Sequence, residues 1–194
     1  VFDLYYNQGI YYVSNVYTEA QVDIRNQIRS LWVQHTYWTA AAVVSLVLGL
    51  PNADAVVGRL LRNPVDFEKM LTFYYGPRIA SRFKDLLTEH LVLAADIINA
   101  IKAGDNQRAQ ELERRWYQNG DAIAEFLGKI NPYWSEEQWR AMMRQHLDLV
   151  NEEVKATFAG DYEAAAMIVD KLEEQAMVMA DVMAGGIIRQ FGIR

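Results

Sequence analysis

The three histidines of this chain, His35, His90 and His146, stand at nearly equal intervals, and each is followed fourteen residues later by a glycine: Gly49, Gly104 and Gly160. A spacing kept over so long a distance constrains the fold more than any short motif, because it predicts one helical hairpin written three times. With 28–50, 83–105 and 139–161 taken as equivalent segments, Leu31, Leu86 and Met142 align, then Trp32, Leu87 and Met143, then the histidines, then Val43, Ile98 and Val154. These columns have helical periodicity, so each segment reads as an amphipathic helix whose apolar stripe includes its histidine. The return arms match as well, with Val57, Leu112 and Ile168 in register, followed by Leu61, Trp116 and Leu172.

The punctuation fits this division. Glycine takes the left-handed position that ends a helix at little cost, and the Asp105 and Asp161 that follow two of the glycines, like Asn52 after the first, can cap the next helix. Thr18-Glu-Ala-Gln21 and Ser135-Glu-Glu-Gln138 have the form of capping boxes, while Gly76-Pro77 and Asn131-Pro132 read as breaks. Helices are therefore predicted near 19–49, 53–75, 77–103, 106–129, 135–159 and 162–190. A kink or restart is expected at Asn63-Pro64, where proline removes a backbone donor. The expected architecture is all-α: a bundle of about six helices in three pseudo-repeated antiparallel hairpins, about 18–76, 77–131 and 132–194, preceded by an extended arm over 1–17.

A chain of 194 residues that is 52% hydrophobic and 23% charged can enclose a single core, burying roughly 70% of its unfolded surface by size scaling. There is no cysteine, which excludes disulfides and thiolate metal ligands. Much of the net charge of −6 falls in the third hairpin, where Asp148, Glu152, Glu153, Asp161, Glu163, Asp170, Glu173 and Glu174 meet only Lys155 and Lys171. That hairpin repels phosphate backbones, so no nucleic-acid partner is expected there, and the acidic run reads as a solvated helix face. The uncharged run Leu31–Leu50 has the length of a membrane span, but Gln34, His35, Thr36, Thr39 and Ser45 interrupt it. It reads instead as the most buried helix of the bundle, with no transmembrane segment expected. No signal-peptide pattern is recognisable at the start of the sequence, whose residue 1 is Val.

Five of the eleven tyrosines, Tyr5, Tyr6, Tyr11, Tyr12 and Tyr17, precede the repeat, and no lysine or arginine occurs before Arg25. Tyr, Val and Ile favour extended chain, Asn7 to Gly9 supplies a turn, and tyrosine buries area at low entropy cost while keeping a hydroxyl to bond. Such an arm is adhesive. It either wraps its own bundle or docks on a neighbouring copy, giving a homo-oligomer or polymer.

Two readings of His35, His90 and His146 stand beside each other. If the hairpins surround a pseudo-threefold axis, three neutral imidazoles reach the same height and can bind a divalent metal such as zinc, with a fourth position left for water. A di-iron site is not indicated, since none of the histidines has Glu three residues before it. In the other reading no cofactor is held, and each imidazole is a buried neutral residue bonded to a backbone carbonyl or to a carboxylate such as Asp66 or Asp121. No glycine-rich phosphate loop and no nucleophile elbow is present, so no catalytic residue is assigned. The Met177, Met179 and Met183 group and the aromatic group Trp116, Tyr117, Tyr133, Trp134 and Trp139 are expected to be core.

The stretches Leu31-Trp-Val-Gln-His-Thr-Tyr-Trp-Thr39, Arg59-Leu-Leu-Arg-Asn-Pro64, Arg114-Arg-Trp-Tyr-Gln-Asn119 and Asn131-Pro-Tyr-Trp-Ser135 resemble those of a poorly characterised family of small helical proteins from spore-forming bacteria. Its members often carry the label acetylglutamate kinase. The resemblance implies a bacterial origin and an all-α fold, and it carries over no catalytic residue. The function expected from the sequence is non-enzymatic: a structural or self-assembling protein, surface- or spore-associated, whose tyrosine arm attaches to a neighbouring subunit. The alternative is a metal- or small-ligand-binding bundle centred on the three histidines.

Overall fold

The computed structural model describes residues 17–194, and over that range the chain is an all-α bundle. Its helices are α1 (Glu19–Leu48), α2 (Ala53–Leu60), α3 (Asn63–Lys102), α4 (Asn106–Ile130), α5 (Glu136–Ala159) and α6 (Tyr162–Gln190). Tyr5, Tyr6, Tyr11 and Tyr12 of the expected arm lie outside the described residues. Tyr17 is half exposed, and the guanidinium of Arg25 sits 4.7 Å from its ring centroid.

Local chemistry sets the helix ends. Thr18 and Gln21 form the reciprocal capping box that opens α1, whereas Ser135 accepts from the Gln138 amide to open α5. Asp105 and Asp161 accept from the amides three residues on, at 2.9 and 3.0 Å; Asn52 makes no side-chain cap. Gly49, Gly104 and Gly160 all have φ between 65° and 74°, the left-handed conformation that a Cβ resists. The predicted restart at Asn63-Pro64 divides α2 from α3, with proline in the first turn where its missing N–H costs nothing. Gly76, at φ 76° and ψ 167°, breaks the helical path inside α3 immediately before Pro77.

The long helices form a closed ring in which α1 packs on α3, α3 on α4, α4 on α5, α5 on α6 and α6 back on α1, with α1 also reaching α5 and α2 lying against α1. One continuous apolar core runs from Ile24 on α1 to Ile187 on α6. Burial on this scale is the main favourable term of the fold. Met179, Met183, Trp116, Trp134 and Trp139 are core as expected, while Met177 is only partly buried and Tyr133 is half exposed.

Two further sequence expectations change. α1 is the described helix with the length and apolarity of a membrane span, yet only half of that window is buried; it is not the most enclosed helix, because Val33, Tyr37, Val44 and Leu48 face outward. Glu153 does not belong to the solvated acidic face: it is 1% exposed, since its position on α5 turns inward beside Val150, Val154 and Thr157.

The Asn131-Pro-Tyr-Trp-Ser135 segment is a structural corner. Asn131 accepts from the Tyr133 amide at 2.8 Å and donates to the Tyr75 hydroxyl at 2.9 Å. Tyr75 in turn donates to Gln190, and the Trp134 indole donates to the Val182 carbonyl at 3.1 Å. These bonds tie the kinked part of α3 and the α4–α5 turn to α6.

Candidate functional site

Each histidine is held by the same clamp. His35 Nδ1 lies 3.2 Å from Asn63 Oδ1, and Asn63 Nδ2 donates to the Leu31 carbonyl at 2.9 Å. His90 Nδ1 lies 2.9 Å from Asn119 Oδ1, and Asn119 Nδ2 donates to the Leu86 carbonyl at 3.1 Å. His146 Nδ1 lies 3.1 Å from Gln175 Oε1, and Gln175 Nε2 donates to the Met142 carbonyl at 2.9 Å. In every case the carbonyl belongs to the residue one helical turn before the histidine, so the carboxamide bridges a ring and the backbone that carries it.

This bridge fixes the proton. The amide NH2 faces the carbonyl, and in Asn119 also the Glu89 carboxylate, which leaves the amide oxygen toward the ring. An oxygen there can only accept, so Nδ1 carries the hydrogen and Nε2 keeps its lone pair. The carboxamide bonds of the three rings are all made at Nδ1. All three rings are buried, and burial holds them neutral: His35 and His90 are pushed down to about 3 and His146 to about 4, desolvation being the largest cause in each. The neighbouring histidines add to the shifts of His35 and His90.

His35, His90 and His146 line one enclosed cavity with Trp32, Phe83, Leu87, Trp139 and Met143. Its volume of about 10 Å³ matches a single water-sized guest. The His35 and His146 ring centroids are 5.5 Å apart. The indole N–H groups of Trp32 and Trp139, also on the cavity wall, are buried without hydrogen-bond partners among the described residues. As they stand, no three His, Cys, Asp or Glu side chains among the described residues form a metal-ligand group.

The structure corrects the partners that the sequence suggests for the histidines. Asp66 pairs with Lys69, and Asp121 with Arg144 and Arg140; neither carboxylate reaches an imidazole. The carboxamides Asn63, Asn119 and Gln175 take that place, 28, 29 and 29 residues after their histidines. A polar residue recurring at that offset is the signal that would have found them.

Comparison of the chain with protein families, with curated proteins and with solved structures gives no match.

Proposed function

We propose that this bundle binds one transition-metal ion, zinc being the reference case, through His35, His90 and His146. The observation that carries the reading is the threefold clamp: a ligating imidazole characteristically donates its other N–H to an oxygen that fixes ring and tautomer, and all three histidines are fixed in that way around one shared cavity. Three neutral nitrogens suit zinc or copper better than magnesium or calcium, which prefer oxygen ligands. His35, His146 and His90 would hold the ion, with His35 and His146 as the closely spaced pair.

Because the cavity is closed, the test refolds the protein from urea with and without zinc. One equivalent retained after desalting, a raised Tm, and loss of both in His146→Leu are expected. A refolded, cooperative wild-type protein that holds well under one equivalent overturns the reading.

Self-assembly is a second reading, favoured by the outer face of α1. Val33, Tyr37, Val44 and Leu48, spaced by four, seven and four residues, form one exposed apolar stripe within the uncharged run, a pattern that suits a second copy of the same helix. The tyrosine-rich leader supplies a further contact in this reading. Light scattering of the full chain, of Val44→Glu and of a chain lacking residues 1–16 tests it. A monomeric full chain at tens of micromolar removes it, and binding of that stripe to lipid vesicles instead reassigns it to a membrane.

A further inference from the structure

A second cavity, of about 400 Å³, lies where α1, α2, α3, α4 and α5 meet. Its wall is aliphatic, built from residues such as Val43, Leu46, Leu91, Ile98 and Val154. Two of its buried residues carry polar atoms. Thr39 and Trp116 are 8% and 2% exposed, and neither the threonine hydroxyl nor the indole N–H has a hydrogen-bond partner among the described residues.

The threonine is informative because a helical hydroxyl has an easy local partner, the carbonyl one turn back. Thr36, Thr72 and Thr157 all use it, at 3.1, 2.7 and 2.8 Å. Thr39 does not. Trp32, Trp139 and Glu153 also hold unbonded buried atoms, but Thr39 and Trp116 share one roomy apolar wall, where a guest can supply the missing atom. Trp116 can only donate, so that atom is an acceptor. The size lies within the range of small-molecule sites.

Charge narrows the class. Asp54 and Asp96 stand exposed on the same wall, and no lysine or arginine lines it. A carboxylate or phosphate head would face these like charges, and the cation at the edge of the wall, Lys102, is already engaged by the Leu46 carbonyl. We infer that this cavity binds a small neutral amphiphile, an aliphatic body carrying one hydroxyl or carbonyl oxygen that accepts from Trp116 and bonds Thr39. The site is separate from the histidine cavity, although Trp116 also packs on His90 with ring centroids 5.2 Å apart.

The probe pair is 1-decanol and decanoate, followed by the indole N–H resonances, with that of Trp116 assigned from Trp116→Phe. Decanol is expected to shift the Trp116 N–H and to bind at least tenfold more tightly than decanoate. Thr39→Val, which keeps the shape and removes the hydroxyl, is expected to weaken decanol about tenfold, and Leu91→Trp to abolish binding by filling the space, each in a protein whose helical signal is unchanged. Equal or tighter binding of decanoate, no binding up to the solubility limit, or affinity unaffected by both Thr39→Val and Leu91→Trp would overturn the assignment.

Discussion

His35 on α1 and His146 on α5 face each other across the core with ring centroids 5.5 Å apart, each pinned at Nδ1 by a carboxamide from another helix. Two imidazoles this close and this dry cannot both carry charge, and with His90 on the same wall the interior tolerates the neutral state only. The consequence is a strong dependence of folding on protons.

With folded values of about 3, 3 and 4 against an ordinary 6.5, the three histidines are depressed bases. Their contribution to stability is present above pH 6.5 and is lost as pH falls toward 4, because the unfolded chain takes up protons that the folded chain refuses. Three such groups correspond to a slope approaching about 4 kcal/mol per pH unit below pH 6. Urea denaturation at half-unit steps from pH 7.5 to 5 measures it, and a slope worth less than one proton would show that the rings ionise in place.

The clamps predict a local effect as well. In Asn119→Leu the His90 Nδ1–H loses its acceptor while remaining buried, at a cost of about 2 kcal/mol. The lock on the tautomer goes with it. Nitrogen-15 spectra of the imidazole should show Nδ1–H alone in the wild type and a mixture of tautomers for His90 in the variant; a single unchanged tautomer would mean that something other than the amide sets it.

Much of this was legible in the residues. The histidine and glycine columns placed the helices because apolar periodicity and left-handed glycine caps are local properties, and the break at Asn63-Pro64 followed from proline chemistry. The convergence of the histidines on one cavity was an open condition, since it depends on which helices become neighbours, and that is settled by packing over long sequence distances. The carboxamides escaped notice for a related reason. Asn63 lies two residues after Leu61, whereas Asn119 and Gln175 lie three after Trp116 and Leu172, and the one-residue slip falls at the break between α2 and α3. Glu153 misled because its neighbours in sequence are charged, while a helix turns each successive residue by about 100° and so points it elsewhere.

Trp134 and the paired glycines of α6 give a contrast between adjacent positions. A Cβ on Gly186 would overlap the Trp134 indole, whereas one on Gly185 meets nothing within 4 Å. Gly186→Ala should cost about 3 kcal/mol or more, since it forces the ring out of the core and strains its bond to the Val182 carbonyl. Gly185→Ala should instead stabilise the helix by about 0.5–1 kcal/mol. Thermal melts of the two variants separate these signs, and a similar loss in both would mean that α6 needs flexibility rather than room.

Glu153 runs against the histidines in its pH dependence. Burial pushes its carboxyl up to about 7, and one of its oxygens has no hydrogen-bond partner among the described residues. A raised acid contributes fully below its unfolded value near 4.5, and that contribution is lost as pH rises through 7. The span corresponds to about 3 kcal/mol of penalty at pH 8. Glu153→Gln keeps the shape and cannot ionise, so its stability relative to the wild type should rise by about that amount between pH 5 and pH 8, whatever constant cost the new amide hydrogens bring. Paired urea curves at the two pH values cancel that constant. A difference that stays flat across the interval would place the Glu153 carboxylate in contact with water or a cation, and its burial among Val150, Val154 and Thr157 would then have to open at neutral pH.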